Sequence, residues 1–131
     1  MIAFDTSLLV RIAIGDNARQ KQAALALLES DTVLIPKTVL LELEWVLRSR
    51  YRLTRKEIHA FLRYLVESER IVIEGEDAAR RSLEFYADGA DFADALHLAS
   101  AGDALLHTFD RDFCRKVIRK GSAPPVKIVQ T

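Results

Sequence analysis

The sequence predicts an α/β fold, a three-layer α/β/α arrangement with a central, mainly parallel sheet of five strands. Five short apolar runs alternate with segments of helical periodicity, which is typical of βαβ units with right-handed crossovers. The 131 residues, 50% hydrophobic and 29% charged, suffice for one core. No internal repeat, low-complexity tract or linker interrupts the chain. We therefore expect residues 1–131 to form a single domain.

In the first half of the chain, short apolar runs are separated from helical segments by capping or breaking residues. The predicted elements are a strand at 2–4, a helix at 6–15, a helix at 17–30, a strand at 33–35, a helix at 38–50 and a helix at 54–68. Pro36 cuts off the second strand. Thr54 and Glu57 have the spacing of a capping box, which marks the start of the fourth helix.

The second half continues the alternation. The predicted elements are a strand at 71–73, a helix at 76–87, a turn at 88–90, a helix within 91–102, a strand at 105–109, a helix at 111–120 and a strand at 126–129. Gly121 is expected to close the last helix, and Pro124 with Pro125 separates it from the final strand.

Composition excludes several classes of protein. A formal net charge of zero and a pI near 6.8 argue against non-specific binding of nucleic acid through a global field. The single cysteine, Cys114, excludes an intrachain disulfide and a thiolate zinc site, and it suits a reducing compartment. The first ten residues have no basic region and contain Asp5, so we expect neither a signal peptide nor a membrane span, and a cytoplasmic location.

Two of the predicted strands end in aspartate. Asp5 follows the first apolar run and Asp110 follows the fourth. Ligands bind open parallel sheets beyond the carboxyl ends of the strands, so both residues are candidates for a functional site. An aspartate at a strand end also serves as the N-cap of the next helix, and that role is the alternative for each residue alone.

A third candidate lies in the segment DFADALHLAS, which is apolar on nearly every side and therefore predicts a buried helix. Asp91 is expected to be its N-cap. Asp94 falls one turn inside, where an ionised carboxylate is costly to bury unless something pairs with it. The alternative is a capping box, in which Asp94 bonds to the backbone of Asp91. His97 is expected to be an interior or rim residue rather than a metal ligand.

Glu42 is the fourth candidate, in the segment VLLELEWVLRSR. It borders the apolar stripe of its helix, with Trp45 and Val46 at i+3 and i+4, and it has no local cation. Its neighbour Glu44 has Arg48 at i+4, the favourable orientation for a surface ion pair, which predicts a solvated face. A flank position on an amphipathic helix is the alternative for Glu42.

Four carboxylates in one cavity need a counter-charge. At a separation of about 5 Å, each like-charged pair repels by roughly 3 kcal/mol at an effective dielectric constant of about 20. Either the carboxyl pKa values rise or a divalent cation neutralises the group, and hard oxygen ligands select Mg²⁺ or Mn²⁺. Such a cation activates water and holds the oxygens of an in-line displacement at phosphorus. If the acids converge, they therefore predict phosphodiester hydrolysis. The acids concerned are Asp5, Glu42, Asp94 and Asp110.

The segments that carry these acids resemble the motifs of a known family. IAFDTSLLV, VLLELEWVL, DFADALHLA and LLHTFDRDF are similar, in content and order, to the motifs of PIN-domain ribonucleases, and most similar to those of VapC-like toxins of bacterial toxin–antitoxin modules. The resemblance extends over essentially the full length. It implies a PIN-like fold and an Mg²⁺- or Mn²⁺-dependent endoribonuclease that acts as a toxin.

The resemblance also implies roles for single residues. It places Asp5, Glu42 and Asp94 in an acidic metal site with a fourth acid from TFDRDF, where we favour Asp110, which directly follows the strand, over Asp112. The implied metal ligands are Asp5, Asp94 and Asp110, and Glu42 completes the site or positions water. The supporting residues are Thr6 and Thr108, whose hydroxyls orient the carboxylates or a bound water, together with Asp91 and Asp112.

The implied partners are an RNA substrate, a second copy of the chain in a homodimer or a higher toxin–antitoxin assembly, and a cognate antitoxin that wraps the toxin and places a basic side chain in its pocket. The Ala- and Leu-rich stretch 23–28 offers a surface for helix packing, or it faces the core. Two basic stretches, 48–56 and 111–120, are candidates to bind phosphates, with solvated helix faces as the alternative.

Two other functions stay open. A phosphatase or phospho-acceptor domain is disfavoured, because IAFDTS lacks a paired D-x-D and the chain has no Gly-rich phosphate cradle. A catalytically silent PIN-like scaffold that binds a partner is the other alternative. Occupancy of the acidic pocket by Mg²⁺ or Mn²⁺ distinguishes it from the nuclease.

Overall fold

The computed structural model describes residues 1–118 and 126–131. Within these residues seven helices alternate with five strands, and every strand pair is parallel, which confirms the predicted α/β class. The five strands are hydrogen-bonded as a three-stranded and a two-stranded sheet rather than as the one five-stranded sheet that the sequence predicts. The strands are β1 (Ile2–Ala3), β2 (Val33–Ile35), β3 (Ile71–Ile73), β4 (Leu106–Thr108) and β5 (Val126–Ile128). The helices are α1 (Thr6–Ile14), α2 (Ala18–Ser30), α3 (Lys37–Ser49), α4 (Arg55–Glu67), α5 (Glu76–Ala87), α6 (Phe92–Ser100) and α7 (Arg111–Val117).

The chain divides into two compact units, and the first is Met1–Glu76. Its sheet has the order β1-β2-β3, with Ile2 opposite Val33 and Val33 opposite Ile71. The central strand β2 is protected from solvent, since Val33 and Ile35 are fully buried. Helix α1 packs against α2 and α3, and α4 packs against α3 and β3. The carboxyl end of β1 therefore leads directly into a helix that packs on α3.

The second unit is Asp77–Thr131. Strands β4 and β5 pair in parallel, with Leu106 opposite Val126 and Thr108 opposite Ile128. Helices α5, α6 and α7, together with the segment between α5 and α6, supply the buried core on which the two strands pack. Its members are Phe85, Ala90, Ala95, Leu98, Phe113 and Val117, with Leu106 and Val126 packed against them.

Short polar side chains fix the starts of five helices. The side chains of Asp5, Asn17, Thr54, Asp91 and Asp110 each accept a hydrogen bond from a backbone N–H in the first turn of the helix that follows. Before α4 the reciprocal bond from the Thr54 backbone to the side chain of the third helical residue is also present, which confirms the predicted capping box. Three of the five caps are aspartates that the sequence identified as candidate site residues.

The main differences from the predicted elements are at their ends. Strand β4 is three residues rather than five, and the flanking Leu105 and Phe109 are 48% and 69% exposed. Helix α7 ends at Val117. The predicted continuation to residue 120, the closure at Gly121 and the break at the two prolines lie outside the described residues. In the part of the chain that the structure covers, no helix combines the length and apolar character needed to cross a membrane.

Candidate active site

Asp5 lies where β1 leads into α1. Its carboxylate accepts the backbone N–H of Ser7 at 3.0 Å and the Ser7 hydroxyl at 2.6 Å, and Asp5 is the N-cap of α1. The bond from the Ser7 hydroxyl is the main cause that lowers the pKa of Asp5, and bonds from the helix backbone add to it. Asp5 is therefore an exposed, ionised carboxylate whose orientation is fixed by the first turn of α1.

Thr6 links this turn to α3. The Thr6 hydroxyl donates a hydrogen bond to Oε1 of Glu42, 36 residues further along the chain. Thr6 is buried, whereas Glu42 is exposed on α3. The bond connects a buried hydroxyl to an exposed carboxylate and so restricts the rotamers that Glu42 can adopt.

The two acids of the first unit line one cavity of about 340 Å³. Asp5 and Glu42 contribute the carboxylates, and α1, α3 and the segment after α3 supply the walls. The remaining lining residues are Thr6, Ser7, Val10, Arg11, Trp45, Val46, Arg50 and Tyr51. The cavity thus combines two acids, two arginines and two aromatic rings.

In the second unit, Asp91 and Asp94 begin α6. Asp91 is the predicted N-cap and accepts the Asp94 backbone N–H at 3.1 Å. Asp94 is partly buried, and burial raises the pKa of its carboxyl, with the negative charges of Asp91 and Asp110 adding to the rise and His97 opposing it. The Asp94 carboxylate makes no hydrogen bond to any described residue, so the predicted alternative of a capping box with Asp91 is not formed. The side chain of His97 is exposed to solvent.

Asp110 begins α7 in the same way as Asp5 begins α1. Its carboxylate accepts the Phe113 backbone N–H at 2.9 Å, and its own N–H donates to the Thr108 hydroxyl at 3.0 Å. Asp110 is exposed, and its charge contributes to the raised pKa of Asp94. An acid that caps a helix is therefore also part of a local group of like charges.

Comparison with protein families adds an independent observation. The family model of the PIN domain matches residues 2–118, which include every one of these acids. The chain belongs to the PIN-domain family. PIN domains are in general metal-dependent nucleases that cleave RNA. Comparisons with curated proteins and with solved structures found no match.

The candidate ligands of this PIN domain are carboxylate oxygens, which suit a hard divalent cation. Asp5 and Glu42 belong to the first unit, and Asp94 and Asp110 belong to the second. Within each unit, over the residues that the structure describes, no group of three or more His, Cys, Asp or Glu side chains is arranged to hold a metal ion. Carboxylate oxygens select Mg²⁺ or Mn²⁺, and Cys114 offers no soft alternative because burial raises the pKa of its thiol.

Asp112 differs from Asp110 in its surroundings. Its side chain is 73% exposed and forms an ion pair with Arg115, one turn further along α7. The negative charge of Asp110 contributes to the raised pKa of Asp94, whereas the charge of Asp112 is paired with Arg115 on the surface of α7. Of the two acids in TFDRDF, Asp110 is therefore the one that interacts electrostatically with Asp94.

Glu44 is placed opposite to the sequence interpretation, whereas Glu42 lies on the flank of its helix as expected. Glu44 forms the predicted ion pair with Arg48, at 2.9 Å between Nε and Oε2, but its carboxylate is buried, with the residue only 3% exposed. The prediction of a solvated face at Glu44 was wrong. Glu42 is exposed and bonded to Thr6, and Trp45, expected in the apolar stripe, is 49% exposed. The inward face of α3 is instead formed by Leu40, Leu43, Glu44 and Leu47.

The two basic stretches are only partly available to phosphates. Arg48 is paired with Glu44, whereas Arg50 lines the cavity beside Glu42. In the second stretch Arg115 is paired with Asp112, and positions 119 and 120 lie outside the described residues.

Sequence reasoning missed several residues that build the cavity. Ser7, which holds Asp5, follows it at i+2 and has the position of a partner to a capping aspartate. Trp45 lies one turn after Glu42 on α3, and this spacing places both residues on the same face of the helix. Arg11 and Tyr51 come from separate segments of the chain, and no motif in the sequence indicates that they line this cavity.

Proposed function

We propose that this PIN domain is an Mg²⁺- or Mn²⁺-dependent endoribonuclease that acts as the toxin of a toxin–antitoxin module. Asp5, Asp94 and Asp110 are assigned as metal ligands, and Glu42 completes the site or positions water. The observation that carries the proposal is the placement of Asp94 in a chain that matches the PIN domain: it lies in the first turn of α6, partly buried, beside Asp91, and no described residue donates a hydrogen bond to its carboxylate. Burial and the neighbouring negative charges raise the pKa of this carboxyl. Such a carboxylate gains most from a cation.

The chemistry follows from the environment of each acid. A divalent cation, when bound, lowers the pKa of a water molecule and balances charge on the phosphate oxygens. The caps of α1 and α7 hold Asp5 and Asp110 in fixed rotamers, so little ordering is needed when they bind a ligand. Glu42, restrained by Thr6, accepts a proton from the attacking water in this proposal.

Substitution of aspartate by asparagine tests these assignments, because asparagine has nearly the same shape as aspartate, replaces it as a helix cap at Asp5, and carries no charge. We expect Asp5→Asn and Asp94→Asn to fold normally and to lose RNA cleavage by about 10²-fold or more. Cleavage by the unmodified protein is expected to stop on addition of a chelator and to return with Mg²⁺ or Mn²⁺. Asp103→Asn, at an exposed acid in the turn after α6, is the control with unchanged activity.

Two results would contradict the assignment. Undiminished cleavage by both variants would remove Asp5 and Asp94 from the site. RNA binding without cleavage by the unmodified protein in either metal would favour the catalytically silent scaffold instead.

The toxin role and its partners are supported by the similarity of the motifs to VapC-like toxins and by apolar side chains on the surface. In the stretch 23–28, Ala24 and Leu28 face the core, whereas Leu27 is 40% exposed. We expect induction of the protein to arrest growth and co-expression with the neighbouring small reading frame to relieve the arrest. Size-exclusion chromatography with light scattering tests the homodimer. Toxicity that co-expression does not change would contradict the antitoxin.

A further inference from the structure

Trp45 is a large aromatic side chain that is exposed on α3 rather than packed in the core. It is 49% exposed, whereas Leu43 and Leu47 on either side of it are fully buried. Its indole makes no hydrogen bond or ring contact with any residue in the described ranges. Single exposed apolar residues are common, so exposure alone carries no conclusion. The position matters, because Trp45 lines the cavity that holds Asp5 and Glu42.

The geometry of α3 places this ring next to the candidate catalytic acids. Glu42 and Trp45 are three positions apart, so they are neighbours on one face, about 5 to 6 Å apart at Cβ. Both side chains line the same cavity, as does Asp5 at the start of α1. A molecule bound at these two acids therefore has the indole within reach.

Arg50 provides the complementary charge. It follows α3 directly and lines the same cavity, and its guanidinium has no partner among residues 1–118 and 126–131. The other cavity arginine, Arg11, donates to Asp16 at 2.6 Å and also to Tyr51. Arg50 is thus the cavity cation that is available to a bound anion.

From these observations we infer that Trp45 and Arg50 form a nucleotide subsite, in which the indole stacks on one unpaired base and the guanidinium binds the adjoining phosphate. This inference rests on the proposed nuclease function and assigns to these two residues the nucleotide next to the scissile phosphate. A base in a duplex has both faces covered by its neighbours, so the indole selects an unpaired segment.

The chain carries its own reporter for this subsite, because Trp45 is its single tryptophan. We expect a short single-stranded RNA of mixed sequence to quench the intrinsic fluorescence in the presence of a chelator, which prevents cleavage. A duplex of the same sequence is expected to leave the fluorescence unchanged. Repeating the titration with Asp110→Asn in Mg²⁺ tests the subsite with cation present. Absence of quenching under both conditions would overturn the inference.

Variants separate stacking from a structural role. By fluorescence anisotropy of labelled RNA, Trp45→Leu is expected to weaken binding by about 5- to 100-fold, and Trp45→Phe to restore much of it, since phenylalanine also stacks. Tyr64→Leu is the matched control, because Tyr64 is 48% exposed on α4 and does not line this cavity. Equal affinities for Trp45→Leu and Tyr64→Leu would contradict stacking.

Arg50→Gln is expected to weaken binding to all sequences and to reduce the slope of log affinity against log salt by about 0.7, the value for one phosphate contact on a single strand. Arg19→Gln, at an exposed arginine on α2 outside the cavity, is the control. An unchanged slope in Arg50→Gln would remove this residue from the subsite.

Steady-state kinetics separates failure of the subsite from failure of the proposed function. With Mg²⁺ and single-stranded RNA, Trp45→Leu is expected to raise KM with a smaller effect on kcat, whereas Asp5→Asn lowers kcat. If cleavage depends on Asp5 and on metal but KM is unchanged in Trp45→Leu, the nuclease stands and the subsite is wrong. If RNA quenches Trp45 but no cleavage occurs, the subsite stands as a binding site and the nuclease function is wrong.

Discussion

The hydroxyl of Thr6 donates a hydrogen bond to the carboxylate of Glu42, and this bond joins the first turn of α1 to the middle of α3. Thr6 directly follows Asp5, so a single short segment fixes one acid through a helix cap and the other through a side chain. The geometry of the two carboxylates in the first unit is therefore set by local structure at the carboxyl end of β1.

Removal of the Thr6 hydroxyl tests this relationship. We expect Thr6→Val, which keeps the shape of the side chain, to lower the free energy of unfolding by about 0.5 to 1.5 kcal/mol and cleavage by about 10- to 100-fold. Thr6→Ser, which keeps the hydroxyl, is expected to retain most of the activity. Urea unfolding and RNA cleavage measure the two effects. Equal activity in the valine and serine variants would show that the hydroxyl does not position Glu42.

Asp110 and Asp112 are distinguished by a pair of matched variants. Asp110 caps α7 and interacts with Asp94, whereas Asp112 is paired with Arg115 on the surface. We expect Asp110→Asn to abolish metal-dependent cleavage with stability unchanged, and Asp112→Asn to change stability by less than about 0.5 kcal/mol and to leave cleavage intact. The reverse pattern would assign the fourth acid to Asp112.

The order of elements and the helix caps could be predicted from the sequence, because both depend on local spacing. The environments of Glu42 and Glu44 could not be predicted from the sequence in this way. Two residues at i and i+2 lie about 200° apart around a helix, so the pattern indicates that the two glutamates face different surroundings. Which of them points inward depends on the residues that pack against α3, such as Thr6, 36 positions away. The buried residues Leu40, Leu43, Glu44 and Leu47 have the i, i+3, i+4, i+7 spacing of an amphipathic stripe, so periodicity is compatible with a buried Glu44. Tertiary packing decides between this stripe and the overlapping one through Val39 and Val46.

The buried carboxylate of Glu44 makes its ion pair with Arg48 important for stability. We expect Arg48→Gln to lower the free energy of unfolding by roughly 1 to 2 kcal/mol, between the values for surface and buried pairs, since Arg48 is half exposed. The control is Arg63→Gln, because Arg63 and Glu67 form an i,i+4 pair with the same 2.9 Å separation but with both partners exposed. Its expected change is below about 0.5 kcal/mol in urea unfolding. Equal changes in the two variants would show that burial of Glu44 has no energetic consequence.

The capping box of α4 predicts a pH dependence of stability. Hydrogen bonds from the Thr54 backbone and side chain lower the pKa of Glu57 below its unfolded value of about 4.3. The stabilisation is therefore complete above that value and is lost as the pH falls through the folded pKa. We expect the difference in urea midpoint between the unmodified protein and Glu57→Gln to shrink between about pH 6 and pH 3. A constant difference over this range would contradict an ionised Glu57 in the box.

Asp94 predicts the opposite dependence. Burial, with the charges of Asp91 and Asp110, raises its pKa above the unfolded value of about 3.9, so its contribution to stability is greatest below that value and is lost as the pH rises through the folded pKa. Without metal, we expect Asp94→Asn to be more stable than the unmodified protein at pH 7, and this difference to disappear in acid.

A divalent cation reverses that order if Asp94 is a ligand. At a concentration about 100 times the dissociation constant, Mg²⁺ or Mn²⁺ is expected to add about 2.7 kcal/mol to the stability of the unmodified protein and much less to that of Asp94→Asn. Thermal unfolding at pH 7 with and without the cation measures both differences. An ion that binds elsewhere stabilises both proteins equally, so an equal shift would contradict the role of Asp94. A shift confined to the unmodified protein would show that the cation offsets the unfavourable charge of this partly buried carboxylate.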